Sequence, residues 1–309
     1  MEYTQLGKTG LRVSKLALGT FNFGPFADAD ASFALMNAAV EAGINLFDTA
    51  DAYGMGRSEE IVGKVLGKRP DDLYVATKVG NWGRRFDDDV LPFKSVHSIY
   101  ESCHASLYRL KTDRIDLYQC HIQKPEHPEV FVEAFEELKK EGKIREYAIS
   151  TDNLDALKAM NANNGCASCQ IRYSILDRSA EKELFPYCLE NNIGVLLRGP
   201  LAMGVLTGKF SPETTFDDSV RERWNEGEAH ENFLRRVEIA EKLKELVNED
   251  RSLLDIALQF PLTQPAVTCS IPGMKNADQA RANTASVRSE LSHEDLATIN
   301  GICPPGVDL

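Results

Sequence analysis

A short apolar run that ends in one polar residue and then passes into an amphipathic helix recurs along this chain, and no other feature limits its fold so narrowly. Asn45-Leu46-Phe47 ends at Asp48, and Leu73-Tyr74-Val75-Ala76-Thr77 ends at Lys78. Ile115-Asp116-Leu117-Tyr118-Gln119-Cys120 ends at His121, and Tyr147-Ala148-Ile149 ends at Ser150. Strands that alternate with helices suit a parallel sheet, and a closed parallel barrel gathers the carboxyl ends of its strands around one rim. Chemistry on that architecture sits at the rim, so the repeated polar terminus points to a site assembled from several strands.

The units can be counted. Tyr3-Thr4-Gln5-Leu6 and Leu11-Arg12-Val13-Ser14 flank a Gly7-Lys8-Thr9-Gly10 turn and read as a hairpin. A strand over residues 16–19 follows, then a helix over 31–42 with Phe33, Leu35, Met36, Ala39 and Val40 on its apolar side. Ser58 reads as a helix N-cap, with Glu59 and Glu60 suited to the positive end of the helix behind it. Val96, Ile99, Tyr100, Cys103, Leu107 and Leu110 form one helical stripe, and Val130, Phe131, Ala134, Phe135 and Leu138 another, closed by Gly142. Later strands are predicted at 143–149, 168–171, 194–197 and 266–271, with helices near 153–161, 181–191, 252–260 and 276–287. Residues 201–250 exceed a simple connection and read as a rim-covering insertion plus a charged helix near 233–248. A second extra helix is expected near 293–300. The expected fold is a (β/α)8 TIM barrel with an N-terminal β-hairpin and two extra helices. Residues 1–309 form one domain, since no low-complexity linker divides them.

The formal charge of −12 argues against a general nucleic-acid binder, which needs a basic stripe. No stretch reaches the roughly 18 apolar residues of a spanning helix, and Met1-Glu2-Tyr3-Thr4-Gln5 carries no secretory pattern. Seven scattered cysteines, an odd number, fit a reduced cytoplasmic protein rather than a disulfide framework. Cys166 and Cys169 form a lone CxxC, with no second pair or His pair beside it to make a metal site. No metal is expected. Asp87-Asp88-Asp89 reads as a solvated loop paired with Arg84 and Arg85.

Asp48, Tyr53, Lys78 and His121 are chemically coherent at one rim. A phenol titrates near 10 and donates poorly at neutral pH unless a neighbouring ammonium favours its phenolate. Lys78 supplies the ammonium, Asp48 a counter-charge for it, and His121 a hydrogen bond that aims a carbonyl oxygen at Tyr53. Together they form a general acid for a developing alkoxide. An acid alone reduces nothing, so the site implies a nicotinamide as hydride source. No G-x-G-x-x-G follows the first strand, which excludes the Rossmann device for holding it.

These residues resemble those of the aldo-keto reductases. Phe47-Asp48-Thr49-Ala50-Asp51-Ala52-Tyr53-Gly54 looks like the first signature of that family, and Ala76-Thr77-Lys78 like its lysine strand. The run from Leu110 to His121 looks like its histidine strand, and Ser270-Ile271-Pro272-Gly273-Met274-Lys275 like its C-terminal cofactor segment. The matches run in order from about residue 3 to residue 290. The resemblance implies a barrel that reduces an aldehyde or ketone with NADPH, NADH being the second option, and no metal. It implies that Tyr53 is the proton donor, that Lys78 and Asp48 tune it, and that His121 orients the carbonyl. Ser150 and Gln170 match the residues that hold the nicotinamide carboxamide, and Gly19 and Thr20 match first-strand contacts. Pro200, Leu201, Gly204 and Lys209 belong to a loop resembling the pyrophosphate cover. Lys275 falls at the 2′-phosphate position, with Gln279 and Asn283 at the adenosine.

Two positions depart from the family pattern. Thr151 follows Ser150 where many members have Asn, leaving Asp152 or Asn153 to remake a carboxamide contact. Arg198 stands where many carry an aromatic that stacks on the nicotinamide; its planar guanidinium can stack, bind an anionic substrate, or repel the positively charged oxidised nicotinamide. Two other functions fit the same motifs: a sugar or polyol dehydrogenase working with NAD(P)+, and an NADPH-holding regulatory subunit with weak turnover. Partners are then a small carbonyl substrate, with no nucleic acid and no membrane, for a monomer or homo-oligomer. Substrate choice falls to segments 21–30, 82–93 and 201–232, where Trp82 and Trp224 line a pocket or pack as ordinary loop residues. His97, His104, His127, His230 and His293 read as surface residues.

Overall fold

The structure, a computed structural model, describes residues 1–24, 28–66, 70–81 and 93–309. Trp82, Arg84, Arg85 and Asp87-Asp88-Asp89 lie outside the described residues, as does part of each of the 21–30 and 82–93 segments.

Strand β1 (Tyr3–Gln5) pairs antiparallel with β2 (Arg12–Ser14), Tyr3 opposite Ser14. Eight parallel strands follow in sequence order: β3 (Leu18–Gly19), β4 (Leu46–Asp48), β5 (Tyr74–Val79), β6 (Ile115–Cys120), β7 (Ile144–Ser150), β8 (Ser168–Arg172), β9 (Gly194–Arg198) and β10 (Val267–Ile271). The sheet closes on itself. Ala17 N donates to Ser270 O at 2.9 Å, and Ser270 N to Lys15 O at 2.8 Å. The predicted barrel is present.

Its helices are α1 (Ala29–Glu41), α2 (Arg57–Leu66), α3 (Val96–Leu110), α4 (Pro128–Lys140), α5 (Leu154–Met160), α6 (Leu184–Glu190), α7 (Gly227–Leu243), α8 (Leu253–Leu262), α9 (Ala277–Ser286) and α10 (His293–Ile302). Among the described residues α7 and α10 are the two extras, and each other helix follows one barrel strand. The insertion helix begins at Gly227 rather than near 233 and ends at Leu243, where a short 3-10 turn takes over. None of the described helices is long and apolar enough to cross a membrane.

Two apolar layers follow from the alternation of side chains along each strand. Phe47, Val75, Tyr118, Ile149 and Leu197 point outward and pack beneath the helices. Leu46, Ala76, Leu117, Ala148 and Leu196 point inward and fill the barrel with Leu6, Leu11 and Val13 of the hairpin. The hairpin therefore stops the amino-terminal end of the barrel. Its turn is tight: Gly7 has φ +50°, and a Cβ there would lie 2.4 Å from Gly194 N. Two residues beyond each inward apolar side chain lies the next inward position, so polar residues placed there must meet above the core.

Ser58 is not an N-cap. The helix starts one residue earlier, at Arg57, and the buried Ser58 hydroxyl donates to Thr20 O at 2.9 Å and lies 2.9 Å from Thr49 Oγ1. Glu59 is likewise fully buried instead of facing water at the helix start. It accepts from Thr77 Oγ1 at 2.6 Å and from Arg109 Nε at 2.7 Å, tying α2 to β5 and α3. A buried carboxylate survives only when paired and hydrogen-bonded, and Glu59 is both.

The seven cysteines are free and buried. Burial pushes the Cys166 thiol up to about 12 and Cys169 well above its ordinary range, the reverse of what a redox CxxC needs. Trp224 stacks on Phe233 at 5.5 Å and meets Phe216 edge-on at 5.4 Å, so it belongs to a small aromatic core of the insertion. His230 packs into the same cluster, half-buried, with Nδ1 2.8 Å from Trp224 O.

Candidate active site

The inward positions at the carboxyl ends of β4, β5, β6, β7, β8 and β9 are Asp48, Lys78, Gln119, Ser150, Gln170 and Arg198. Apolar or small side chains lie directly below them, so the polar layer caps a dry barrel. Asp48 occupies its centre. Lys78 Nζ donates to Asp48 Oδ2 at 2.6 Å, while Gln119 Nε2 and Gln170 Nε2 both donate to Oδ1, at 3.0 and 2.9 Å.

Lys78 is fully buried, and its three protons are all placed: Asp48, then Thr49 O at 2.9 Å, then Tyr53 Oη at 3.4 Å. Burial alone would lower its pKa, but Asp48 and Tyr53 outweigh it and hold Lys78 above the ordinary lysine value. Tyr53 lies in the turn after β4. Its ring sits 5.0 Å from Lys78 Nζ, 5.9 Å from the His121 ring and 5.3 Å edge-on to Phe21. His121 follows β6 directly, its N–H donating to Val79 O at 2.8 Å. The four expected groups are thus brought together.

One electrostatic expectation is reversed in its net sign. Burial is the strongest influence on Tyr53 and pushes the phenol above 10; Lys78 opposes it without overcoming it. The phenol is thereby kept protonated, which is the state a proton donor needs.

The remaining expected residues divide. Ser150 and Gln170 are buried at the rim, but Gln170 is engaged with Asp48. Thr20 faces neighbouring strand ends: its N and Oγ1 both donate to Asp48 O, at 2.9 and 3.1 Å. Gly19 lies against Ile271, whose Cγ2 is 3.0 Å from where a Cβ would be. Pro200, Leu201, Gly204 and Lys209 follow β9, and Gly273, Lys275, Gln279 and Asn283 follow β10, so the two groups leave adjacent strands. Lys209 and Lys275 are exposed cations, and Asn283 is buried. Gln279 Oε1 accepts from Lys275 N at 2.7 Å. Backbone at Ala202, Met203 and Gly204 runs through three successive positive φ values, +46°, +56° and +103°. Non-glycine residues in that region are uncommon, so the surrounding loop must hold them there.

Both departures acquire partners. Thr151 Oγ1 donates to Gln123 O at 2.6 Å, and Asn153 caps α5 by accepting from Ala156 N at 2.9 Å, so neither takes the place of an amide at the rim. Asp152 accepts from Arg172 N at 2.7 Å and pairs with Arg198 at 2.5 Å. The guanidinium of Arg198 is therefore paired, while its charge still acts to lower the Tyr53 phenol.

Gln119, Phe21 and Glu59 are site or supporting residues that motif reading passes over. Gln119 was detectable: it lies two positions before His121, hence on the same face of the strand. Phe21 and Glu59 act through contacts far apart in the sequence, and no local pattern signals them.

Comparison with known proteins agrees with this geometry. Residues 15–303 match the Aldo/keto reductase family. An "Uncharacterized oxidoreductase YqkF" of Bacillus subtilis is 36% identical over 304 residues, spanning 97% of this chain and 95% of that protein. The "NADH-specific methylglyoxal reductase" of Escherichia coli is 32% identical over 318 residues, spanning 96% of each. The solved holo form of aldo-keto reductase AKR11C1 from Bacillus halodurans superposes with a TM-score of 0.84 at 34% identity, covering 100% of this chain and 98% of that one. A parallel barrel capped by an Asp–Lys–Tyr–His cluster, matched over nearly its whole length, places this chain in the aldo-keto reductase family of NAD(P)H-dependent oxidoreductases.

Proposed function

We propose that this protein reduces an aldehyde or ketone to an alcohol with NADPH, and that Tyr53 is the proton donor. The observation that carries the reading is the chain of contacts Asp48–Lys78–Tyr53, at 2.6 and 3.4 Å, beside His121 at the mouth of an apolar barrel.

A nicotinamide dinucleotide suits the residues present. Ser150 and Gln170 offer a hydroxyl and an amide at the rim for a carboxamide. Lys209, exposed on the loop that runs through the left-handed turn at Ala202–Gly204, offers a cation for a pyrophosphate. At Gly273 the backbone is open, since a Cβ there would meet nothing within 4 Å. Lys275, exposed at the start of α9, supports the 2′-phosphate and hence NADPH. NADH has its own support: position 279 carries a neutral Gln already engaged by the backbone of Lys275, and one relative is named NADH-specific.

The bound cofactor supplies the hydride; the chain supplies the rest. The carbonyl oxygen takes a hydrogen bond from His121 and lies against Tyr53 Oη. As negative charge develops on that oxygen, the phenol gives up its proton, and the Lys78 ammonium steadies the phenolate left behind. Asp48 keeps the ammonium in place and balances its charge. Among the described residues two apolar side chains stand near the Tyr53 end of the rim. Phe21 is 42% exposed and touches the Tyr53 ring, and Met55 is 55% exposed in the turn behind it. Aldehydes with an aromatic or aliphatic body fit this mouth better than bare polyols.

The test is NADPH consumption with 4-nitrobenzaldehyde by wild type and Tyr53→Phe. Loss of the acid is expected to slow turnover by about 100-fold or more. Equal measurable rates would refute Tyr53 as donor, whereas no consumption by either protein would leave cofactor binding without catalysis as the activity. A panel of aromatic aldehydes, methylglyoxal, aldoses and sugar phosphates then identifies the substrate class.

A further inference from the structure

We infer that Ser58 is a positioning residue for the proton donor: it ties the backbone of Tyr53 to the backbone that holds Lys78. Its N–H donates to Tyr53 O at 3.2 Å. Its hydroxyl donates to Thr20 O at 2.9 Å and lies 2.9 Å from Thr49 Oγ1. Thr49 O in turn accepts one proton of the Lys78 ammonium, at 2.9 Å. The inference rests on the reading of Tyr53 as donor and deepens it.

The hydroxyl protons of this cluster run one way. Thr20 Oγ1 donates to Asp48 O at 3.1 Å, and Ser58 Oγ donates to Thr20. A serine hydroxyl has a single proton, so across the 2.9 Å contact Ser58 accepts from Thr49. Thr20, Thr49 and Ser58 are all completely buried, and water does not stand in for any of them. Ser58 is the middle link of the chain from Thr49 to Asp48 O. Alanine in its place takes away the acceptor of a buried hydroxyl, which is costly.

What this link controls follows from the turn after β4. Thr49 N donates to Ala76 O at 2.8 Å and Asp51 N to Lys78 O at 3.2 Å, so the first half of the turn hangs on β5. Tyr53 lies beyond those anchors. Its backbone is held by Ala50 O, which accepts from Tyr53 N at 3.1 Å, and by Ser58. Ser58 therefore closes the loop, joining the Tyr53 end to Thr49 and to the end of β3. Of the three contacts of Lys78 Nζ, that to Tyr53 Oη is the longest, 3.4 Å against 2.6 and 2.9 Å. It is the one that a small movement of the turn loosens first. The choice of residue agrees. Ser58 is the second residue of α2, where alanine would favour the helix and bury no hydroxyl. The next residue, Glu59, accepts from Thr77, the neighbour of Lys78, at 2.6 Å. The first turn of α2 thus grips the strand ends that carry Asp48 and Lys78.

The experiment compares wild type, Ser58→Ala and the double variant Ser58→Ala/Thr49→Val. Ser58→Ala orphans the Thr49 hydroxyl and lowers the urea midpoint; the double variant removes both polar partners and brings the midpoint back towards wild type. Catalysis does not come back with it, because the tie to Tyr53 is still cut. The single-turnover rate of NADPH oxidation with 4-nitrobenzaldehyde falls about ten-fold in both variants, less than the roughly hundred-fold of a 1 Å misplacement. In both, the rise of alcohol oxidation with pH moves to higher pH, since the Lys78 charge acts on the phenol from further away. The Kd of NADPH, read by quenching of protein fluorescence, changes by less than about two-fold. A rate that recovers together with the midpoint gives the hydroxyl a role in stability alone and overturns the inference. So do a wild-type rate and pH profile in Ser58→Ala, and so does a Kd that weakens as much as the rate. If Ser58→Ala does not fold, the double variant decides by the same rate and pH profile. Tyr53→Phe with the wild-type rate overturns the donor reading and this inference with it. An inactive Tyr53→Phe beside unaltered Ser58 variants overturns this inference alone.

Discussion

Gly63→Ala sets two physical effects against each other at the helix that supports Tyr53. Gly63 lies within α2, where helix propensity favours Ala by about 1 kcal/mol. Packing opposes it. A Cβ at Gly63 would lie 2.4 Å from Arg109 O, 2.6 Å from Leu110 C and 2.7 Å from Leu110 Cα. Relief needs a shift of roughly 1 Å, given that carbon contacts settle near 3.5–4.0 Å, and the obstacle is backbone rather than a side-chain tip. Neither partner yields easily. Just past the contact α3 ends on Lys111 in a left-handed turn, φ +54°. On the other side Glu59 of α2 is locked to Arg109 and Thr77. Overpacking of this kind costs about 1–3 kcal/mol and more against a rigid wall, so the clash wins. The expected net loss is about 2 kcal/mol, read as a lower urea midpoint by circular dichroism. Gly301→Ala is the internal control. It lies in α10 with nothing within 4 Å of the new Cβ, and should gain up to about 1 kcal/mol. Turnover should also fall in folded Gly63→Ala, because α2 starts directly after the Tyr53 turn and Thr77 adjoins Lys78. A Gly63→Ala protein at least as stable as wild type would refute this account of the α2–α3 contact.

Two further outcomes follow from the site. Lys78→Met removes the charge that pulls Tyr53 downward against burial, so the phenol titrates still higher. Alcohol oxidation starts from the phenolate and reduction from the phenol. Oxidation should therefore lose more rate than reduction, and its rise with pH should move to higher pH; equal losses in both directions would contradict the assignment. Lys275→Glu replaces a cation with an anion at the proposed 2′-phosphate contact. By calorimetry it should weaken NADPH by about 10- to 100-fold, the value of a charge-assisted hydrogen bond, and NADH little. Unchanged binding of both would remove Lys275 from the cofactor site.

The rim was legible because two periodicities cooperate in this chain. Alternation along each strand carries Leu46 to Asp48 and Ala76 to Lys78, and the helix between successive strands forces all the termini to one end. Local signals failed where tertiary contacts override them. Ser58 followed by Glu59 has the composition of a helix start, yet Thr20 and Thr49 claim the hydroxyl and Arg109 the carboxylate, residues distant in sequence. Trp224 could not be placed from its loop, because its stacking partner Phe233 lies on α7. Asp152 and Arg198 lie on strand ends two apart in the sheet, and nothing near either residue in the sequence announces the other.

The direction of the Tyr53 shift shows how burial and charge divide the work. A buried ion pair is weak evidence for stability, since well-packed apolar residues usually serve a core as well or better. Asp48 and Lys78 nevertheless lie at the top of a barrel whose lower layers are apolar, and four groups of the chain are spent on them: Gln119, Gln170, the Thr49 carbonyl and the Tyr53 hydroxyl. Burial raises the phenol, which in the proposed mechanism keeps its proton in place until it is needed. The ammonium limits that rise, so the same proton can still leave. Exposing the pair to water would weaken both influences, because solvent screens the charge and removes the desolvation. On the proposed mechanism, the largely apolar barrel beneath the rim is therefore part of the acid as much as of the fold.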